Sequence, residues 1–353
     1  MRIGFVVYGS FGDRSGGFRY DRQLTAALRD AGETVEPIEL PWRAYARGLL
    51  DNLSPSLRNR LDAGYDVLLQ DELAHPSLVV TNRCLSTPVV SIVHLLRATE
   101  PRRFRSLYRT VERWYLGGVD GVVCNSTDTR DLVTDLGVAA EASVVAPPTG
   151  NRFDPDEENI TIAAPAPEEP LRLIFVGNIS QRKGLDTLIA GINAVDTAVE
   201  LTVVGQSTDD CYLTRVRQQV VDCGLSHRVT FTGELTDTEL ESTLQDHHVL
   251  AVPSRYEPFG IVYAEAMSFG LPVIAARAGG ATDIVTDGKT GFLIDPGDSA
   301  AVADAITTLA ADRKRLATMG QAARERYEAQ PDWTEIADSV RMLLRSVVND
   351  GSV

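Results

Sequence analysis

The sequence predicts an α/β protein built from two doubly wound parallel-sheet domains with a cleft between them. A chain of 353 residues, 44% of them hydrophobic, is too long for one average domain and can fill two ordinary cores. Strand-like apolar runs alternate with helical stretches in both halves, as in a parallel sheet covered by helices. A segment rich in proline and acidic residues separates the halves.

Residues 1–155 form the predicted first domain. Its strand candidates are short apolar runs: Ile3–Val7, Thr34–Ile38, Val67–Leu69, Val89–Val93, Gly121–Cys124 and Ser143–Ala146. The helical stretches between them include Phe18–Ala31, Arg102–Leu116 and Thr127–Leu136. Asn125-Ser126-Thr127 matches the glycosylation pattern, but we interpret it as the cap of the following helix.

Residues 156–170 form the predicted linker, and residues 171–330 form the second domain. The strand candidates of that domain are again apolar runs: Leu171–Val176, Glu200–Val204, Val229–Phe231, His248–Val252 and Pro272–Ala275. The tail Trp333–Val348 is helical by its apolar spacing. We expect that this helix can cross back onto the first domain.

The composition is strongly acidic, with a net charge of -15, which argues against a general nucleic-acid binder. Lys183, Lys289 and Lys314 are the only lysines. An acidic, lysine-poor surface predicts a protein that stays hydrated in strong salt, and therefore a halophilic source. An arginine-rich genome that encodes a merely acidic surface is the alternative.

The cysteines and the apolar runs point to a cytoplasmic protein without a metal site. Cys84, Cys124, Cys211 and Cys223 form no Cys-x-x-Cys pair and no zinc-like spacing, so we expect reduced packing residues. No stretch approaches the ~20 apolar residues of a membrane-spanning helix. The start Met1-Arg2-Ile3-Gly4 leads into a strand rather than a signal peptide.

The most informative run is Pro253–Met267, PSRYEPFGIVYAEAM, which follows a predicted strand. Pro258 and Gly260 lie where a loop turns into a helix, and proline is favourable near a helix start. The amides of Phe259, Gly260 and Ile261 would then point outward at the positive end of the helix dipole. This arrangement suits a diphosphate.

Two glutamates flank this helix start. Glu265 shares a helix face with Ile261 and can reach beyond the phosphates to two vicinal hydroxyls, which is a ribose-binding role. Glu257 lies on the loop and would accept hydrogen bonds from the sugar on the other side of the diphosphate. The alternative is that Glu265 is an exposed helical residue and Glu257 an ordinary loop charge.

A second loop, VGNISQRKG over Val176–Gly184, also lies between a strand and a helix. Lys183, with Arg182 beside it, could neutralise phosphate charge without a metal. We find no convincing Asp-x-Asp at a strand end that would hold one. The alternative is a solvated surface lysine.

The motifs together resemble the retaining family-4 glycosyltransferases, also described as glycosyl transferases group 1, which have the GT-B fold of two Rossmann-like domains. The resemblance covers most of residues 171–330. It is carried by the Glu257-to-Glu265 spacing, Gly177 with Lys183-Gly184, Gly270-Leu271-Pro272-Val273-Ile274-Ala275, Gly279-Gly280 and Asp287-Gly288-Lys289-Thr290-Gly291-Phe292.

The resemblance implies that Glu257 contacts the donor sugar, that Glu265 contacts the ribose and that Lys183 binds the diphosphate together with the amides after Pro258. One departure is Asn178, because the family commonly has arginine directly after the first glycine of its phosphate loop. Arg182 is a candidate for the missing charge; otherwise the phosphate is held less tightly, since asparagine offers only a neutral donor.

The first half resembles the family less specifically. Gly16-Gly17, ahead of the helix at Phe18, looks like the family's N-terminal glycine loop, which lets substrate groups approach the backbone. His94 ends a predicted strand, where open α/β sheets hold ligands, and matches the position of a family histidine near the sugar. The alternative is a satisfied histidine at a domain edge.

The segment Arg102–Arg113 concentrates positive charge in an acidic chain. Its arginines are Arg102, Arg103, Arg105, Arg109 and Arg113. On a helical projection an apolar face lies opposite most of them; it consists of Phe104, Leu107, Tyr108, Val111, Trp114 and Tyr115. One interpretation is a core-packed helix with a solvated basic face, and the other is contact with an anionic membrane or a phosphorylated lipid acceptor.

These observations predict transfer of a sugar from a UDP-, GDP- or ADP-sugar to an acceptor hydroxyl, with retention of configuration as the resemblance implies. The assigned catalytic residues are Glu257, His94, Lys183 and Arg182, and no cofactor is expected. The acceptor is left open among a glycan, a lipid-linked sugar and a small molecule. A sugar-nucleotide epimerase and a non-catalytic sugar-nucleotide binder on the same fold are the alternatives.

Overall fold

A computed structural model describes residues 1–12, 16–99, 104–149, 152–153, 155, 166 and 169–350. The chain divides into two compact units. The first consists of Met1–Pro148 together with Pro331–Val353, and the second consists of Thr149–Gln330. The predicted linker, residues 156–170, lies largely outside the described residues.

The first unit contains a six-stranded parallel sheet. Its strands are β1 Arg2–Tyr8, β2 Thr34–Leu40, β3 Val67–Asp71, β4 Val89–Val93, β5 Gly121–Cys124 and β6 Ser143–Val145. The spatial order is β2-β1-β3-β4-β5-β6, so the direction of strand progression reverses between β1 and β3. In the register, Ile3 pairs with Val35 on one side and with Val67 on the other. Such a reversal is where open α/β sheets leave a ligand crevice.

Six helices belong to the described part of residues 1–148: α1 Gly16–Asp30, α2 Tyr45–Asp51, α3 Pro55–Leu61, α4 His75–Leu78, α5 Arg105–Leu116 and α6 Thr127–Asp135. Alternate residues of β1 enter separate cores on the two faces of the sheet, with Phe5 in one and Val6 in the other. The Ser126 side chain accepts a hydrogen bond from the amide of Thr129, which confirms its predicted capping role.

The second unit contains another six-stranded parallel sheet: β7 Leu171–Val176, β8 Val199–Val204, β9 Val229–Gly233, β10 Val249–Val252, β11 Val273–Ala276 and β12 Gly291–Ile294. Its helices are α7 Leu185–Asn193, α8 Asp210–Asp222, α9 Asp237–Gln245, α10 Ile261–Met267, α11 Ala281–Ile284, α12 Ser299–Ala311 and α13 Arg313–Glu328. The strand order β12-β11-β10-β7-β8-β9 reverses between β7 and β10. The predicted α/β fold class is therefore confirmed.

The last helix, α14 Trp333–Asp350, belongs to the first unit and packs against α1. Its buried face, which includes Val340 and Leu344, joins the core on one side of the first sheet. Arg341 also pairs with the buried carboxylate of Glu33, with 2.9 Å between Nε and Oε1. The C-terminal segment thus completes the core of the unit in which the chain begins.

Two element boundaries differ from the sequence expectation. The first unit ends at Pro148 rather than at residue 155, because Phe153 packs into the core of the second unit against Phe269, with ring centroids 5.6 Å apart. Strand β12 was not predicted, since its sequence begins with a glycine directly after a turn. It nevertheless pairs in parallel with β11.

The interpretation of α5 as a helix with a core-packed apolar face holds only in part, since Tyr115 and Val111 pack in the core of the first unit and Tyr108 is half-buried, whereas the other three residues of that face are exposed. Phe104, Leu107 and Trp114 are 62%, 58% and 52% exposed. The buried side of the helix carries Glu112, Tyr115 and Leu116. The carboxylate of Glu112 accepts hydrogen bonds from the backbone amides of Arg97 and Ala98. Because the Glu112 carboxylate binds the amides of the neighbouring turn, the side of α5 that carries Glu112 faces inward. Arg102 and Arg103 lie outside the described residues.

Candidate active site

The loops that follow β7 and β10 bring together the two residues that carry the strongest sequence prediction. Lys183 lies in the loop after β7, and its Nζ donates a hydrogen bond to Oε2 of Glu257, 2.5 Å away, in the loop after β10. The same oxygen accepts the hydroxyl of Ser254 at 3.0 Å. Because β7 and β10 flank the reversal of strand order, this pair lies where the sheet leaves a crevice at its carboxyl edge.

Both members of this pair are buried, with 9% of Lys183 and 7% of Glu257 exposed. Burial tends to raise the pKa of Glu257, but the Lys183 and Arg182 cations and the two side-chain hydrogen bonds hold it below its usual value. The alternatives of a solvated surface lysine and an ordinary loop charge are therefore wrong. The loops hold an ionised carboxylate against a buried ammonium group.

Glycines permit the close packing of these loops. Gly184 has a φ of +71°, and a Cβ atom there would lie 2.1 Å from the carbonyl oxygen of Pro253. Gly279 has a φ of +70°, and a Cβ atom there would meet the carbonyl oxygen of Glu257 at the same distance. A side chain at Gly184 would push the Lys183 loop away from the Glu257 loop, and a side chain at Gly279 would push the loop after β11 away from the Glu257 loop.

The start of α10 has the expected form. Gly260 is its N-cap residue with a φ of +92°, and the side chain of Phe259 packs into the core of the second unit. Within the described part of the chain, the amides of Phe259, Gly260 and Ile261 donate no hydrogen bond. These donors are consequently available for an anion in front of the helix.

Glu265, one turn into α10, is 5% exposed and is therefore not the exposed helical residue of the alternative interpretation. Its Oε1 lies 3.8 Å from Nη1 of Arg152. Arg152 also pairs with Asp237 at the start of α9. Sequence analysis did not identify Arg152, because it lies beside the linker and far along the chain from Glu265.

The remaining residues of the predicted phosphate loop differ in accessibility. Gly177 has a φ of +144° and packs against the stem of Lys183, so that a Cβ atom would lie 3.4 Å from Cε. Asn178 is exposed. Arg182 donates from Nη1 to the carbonyl oxygen of Tyr256 at 3.0 Å, and the same nitrogen lies 3.8 Å from Glu257. The positive charge of this loop is therefore concentrated beside Glu257 rather than at Asn178.

In the first unit, His94 follows β4 and contacts the start of α1. Its Nε2 lies 2.9 Å from Oδ1 of Asp21, and a Cβ atom on Gly17 would lie 3.3 Å from the imidazole ring. Gly16 is exposed at the first position of α1. Gly16 and Gly17, which were predicted to form a loop ahead of the helix, are its first two residues, and Gly17 lies against His94.

Three buried carboxyl groups surround this histidine, and sequence analysis missed all of them. Asp21 and Asp71 have no exposed surface, and Glu72 accepts the backbone amides of His94 at 2.9 Å and of Leu95 at 3.1 Å. Burial lowers the pKa of His94, but Asp21, with Glu72 and Asp71, raises it to about 10. Asp71 and Glu72 could have been suspected, since Asp71 ends a fully buried strand and Glu72 directly follows it, whereas Asp21 looked like one polar residue of an amphipathic helix.

Among the described residues, one group is spaced as metal ligands would be. It consists of Asp21, Asp71 and His94, each of which offers one carboxylate oxygen or imidazole nitrogen within 4.8 Å of the others. Nε2 of His94 is already occupied by Asp21. We therefore assign no metal to this group. The expectation of a metal-free protein stays a prediction.

Two six-stranded parallel-sheet units, each with one reversal of strand order, are the architecture of the GT-B class of α/β proteins. The family model described as "Glycosyl transferases group 1" matches residues 156–326, and that described as "Glycosyl transferase 4-like domain" matches residues 9–149. The chain therefore belongs to the family-4 glycosyltransferases with the GT-B fold.

The chain is also similar to individual proteins of known name. A GDP-mannose-dependent α-(1-6)-phosphatidylinositol monomannoside mannosyltransferase from Mycobacterium tuberculosis is 33% identical over 67% of this chain, a segment that spans only 64% of that protein. A phosphatidyl-myo-inositol mannosyltransferase from Mycobacterium leprae is 26% identical over all of this chain and 98% of that protein. Sucrose-phosphate synthase from Thermosynechococcus elongatus superposes with a TM-score of 0.83 at 25% identity, over 99% of each chain.

Proposed function

We propose that the protein transfers a sugar from a nucleoside-diphosphate sugar to an acceptor hydroxyl, with retention of anomeric configuration. The observation that carries the proposal is the buried Lys183–Glu257 pair beside the unoccupied amides that open α10. Cation, carboxylate and amides lie on two adjoining loops, so that one diphosphate sugar can contact all three. The family assignment and the names of the mycobacterial relatives support this chemistry.

In the proposed complex, the diphosphate lies against the amides of Phe259, Gly260 and Ile261. Lys183 then stabilises the charge that grows on the leaving phosphate. Glu257 accepts hydrogen bonds from the sugar hydroxyls, and Glu265 accepts them from the ribose. Because Glu257 already accepts from two side chains, we assign it to binding rather than to a covalent intermediate of the hydrolase type.

His94 is proposed as a hydrogen-bond donor to the substrate. No cofactor is required, because cationic side chains and amides balance the phosphate charge. A GDP-, UDP- or ADP-sugar fits this chemistry equally well. The M. tuberculosis relative makes GDP-mannose the first donor to test.

We further propose a lipid acceptor and peripheral contact with an anionic membrane through the α2–α5 surface. This surface comprises the exposed residues Leu49, Leu50, Leu53, Phe104, Leu107, Trp114, Arg105, Arg109 and Arg113. Helices α2 and α5 approach each other where the rings of Tyr45 and Tyr108 lie 4.9 Å apart. No helix of the described chain is long and apolar enough to cross a membrane.

Apolar side chains beside arginines suit the boundary between headgroups and acyl chains, where each arginine contributes about 1 kcal/mol with anionic lipid. Vesicle flotation with anionic and with neutral lipid tests the contact. Changing Arg109 and Arg113 together to Gln should weaken binding to anionic vesicles by about 2 kcal/mol, roughly 30-fold. The matched control changes Arg58 and Arg60, which are exposed on α3, to Gln. Equal binding by the Arg109/Arg113 variant would exclude the α2–α5 surface.

The activity is tested by incubating the protein with radiolabelled GDP-mannose, UDP-glucose or ADP-glucose and a lipid extract. A labelled lipid product supports the proposal, and nuclear magnetic resonance of the product determines its anomeric configuration. An altered sugar nucleotide without transfer would identify an epimerase. Binding of the donor without either product would identify a non-catalytic binder.

A further inference from the structure

The contact between His94 and Asp21 is more enclosed than a surface ion pair. Asp21 has no exposed surface, only 13% of the His94 side chain is exposed, and the ring lies edge-on against Tyr20 with centroids 5.1 Å apart. Gly17 closes the opposite approach, since even a methyl group there would press on the imidazole. The ring is therefore held from three sides by α1 alone.

The backbone of His94 is fixed as firmly as its ring. Glu72 accepts the amides of both His94 and Leu95, and the side chain of Asn125 donates to the carbonyl oxygen of His94 at 2.9 Å. Within the described residues, Nδ1 of the imidazole makes no hydrogen bond and is not among the buried unsatisfied atoms. Nδ1 is thus the ring nitrogen that remains available to bind a ligand, while the rest of the ring is held in place.

One oxygen of Asp21 binds His94, while Oδ2 of Asp21 and Oδ2 of Asp71 are buried without a hydrogen-bond partner. An unpaired buried carboxylate is costly, so an adjacent cation is strongly favoured. Since His94 binds Asp21 and lies within 4.8 Å of Asp71, the arrangement favours the protonated form of His94.

We propose that Asp21 is a positioning residue that accepts Nε2–H of His94 and keeps the ring an imidazolium, so that Nδ1–H is presented to the substrate as a charged donor. The inference rests on the proposed function, in which His94 contacts the substrate. A neutral imidazole bound to Asp21 through Nε2–H would have an acceptor at Nδ1. The carboxylate therefore determines whether this histidine donates or accepts.

The titratable groups around His94 either raise the pKa of His94 or change the pKa of Asp21. Asp21 comes from α1, and Asp71 and Glu72 come from the end of β3 and the turn after it; each raises the pKa of His94. Burial, together with the neighbouring Asp71 carboxyl group, raises the pKa of Asp21 to about 6, against the lowering effect of the His94 cation. Tyr20 stays neutral because burial raises its own pKa. At neutral pH, Asp21 is consequently ionised and His94 is protonated.

The first test is a pH titration of the imidazole resonances in the whole protein without substrate. The chain has five histidines, and burial lowers the pKa of His75, His247 and His248. We expect a His94 signal that remains that of an imidazolium at pH 8 and that disappears in His94→Gln. Asp21→Asn should lower the midpoint by about 1–3 pH units.

Asp71→Asn serves as the second variant, because it removes a neighbouring charge but keeps the Asp21 contact; it should lower the midpoint by less. The matched control is Asp30→Asn, which makes the same change at an exposed position of α1 and should leave the titration unchanged. A wild-type His94 that is neutral at pH 8, or a midpoint that Asp21→Asn leaves in place, would overturn the proposal. A response of the His94 signal to a chelator would also overturn it, because the cluster would then hold a metal.

The second readout is the pH profile of kcat with the donor and acceptor that support turnover. In Asp21→Asn the alkaline limb should move to lower pH by the same amount as the titration, with activity retained at acidic pH. An equal loss at every pH would indicate a merely structural Asp21 and refute the inference. Absence of transfer by the wild-type protein, combined with the expected titration, would instead refute the proposed function.

Discussion

Replacing Lys183 with Met tests whether Glu257 is held ionised by its buried partner. Methionine keeps most of the volume of the lysine stem and removes the ammonium group that lies 2.5 Å from Oε2 of Glu257. Removing one partner of a buried ion pair costs about 3–5 kcal/mol, because the other charge is left without compensation. Ser254 and Arg182 remain, so we expect a loss near the lower end, about 3 kcal/mol at pH 8.

The loss should depend on pH in a definite direction. In the wild type, the pKa of Glu257 is lowered in the folded state, so its stabilisation is present above the unfolded pKa and is lost as the pH falls. In Lys183→Met, the pKa of Glu257 should be higher in the folded protein than in the unfolded chain. Protonation of Glu257 then relieves the uncompensated charge, so the loss of about 3 kcal/mol at pH 8 should fall to about 1 kcal/mol at pH 5, since each pKa unit is worth about 1.4 kcal/mol.

The assay is denaturant unfolding followed by circular dichroism at both pH values. All three tryptophans belong to the first unit, so their fluorescence reports that unit alone and should not change. Lys314→Met, an exposed substitution on α13, is the matched control. Adding Glu257→Gln to Lys183→Met should recover stability at pH 8. An equal loss at pH 5 and pH 8, or no recovery in the double variant, would refute the reasoning.

Three further predictions concern the donor, the charge balance and the surface. Glu265→Ala should weaken the binding of UDP, GDP or ADP by roughly 1–3 kcal/mol in calorimetric titration, whereas Glu241→Ala at a partly exposed position of α9 should not; unchanged affinity would exclude the ribose assignment. Turnover should persist in a chelator, because Lys183 and the α10 amides balance the diphosphate; activity abolished by the chelator and restored by magnesium or manganese would contradict this. The melting temperature should rise from low to molar potassium chloride, as expected for a net charge of -15, and a flat or falling value would remove the halophile hypothesis.

Most of the fold could be predicted because parallel strands buried on both faces are continuous apolar runs. Val89–Val93 and Gly121–Cys124 have the predicted bounds. Strand β12 escaped prediction because Gly291 supplies no side chain and follows turn residues. The orientation of α5 also escaped, since a hydrophobic projection cannot show that a buried Glu112 faces inward to accept backbone amides.

The candidate site was predictable wherever its residues lie on one loop and a helix start. The pairing of Lys183 with Glu257 was not, because the two residues are 74 positions apart and only the adjacency of β7 and β10 brings them together. The same holds for Asp21 and His94, which are 73 positions apart. Local spacing predicts which atoms a loop offers, whereas sheet order determines which loops meet.

The position of α14 has a consequence for how the chain reaches its native state during synthesis. Residues 149–330 form a contiguous unit and can fold while the ribosome is still translating, whereas the first unit waits for the helix that covers one face of its sheet. At ordinary elongation rates that wait is on the order of 10–40 s. Throughout it the apolar face that includes Phe5 and Leu24 lacks its final cover, which exposes the nascent protein to aggregation and to chaperone capture. A truncation that removes the last helix would make this transient state permanent, although it deletes none of the residues assigned to the site.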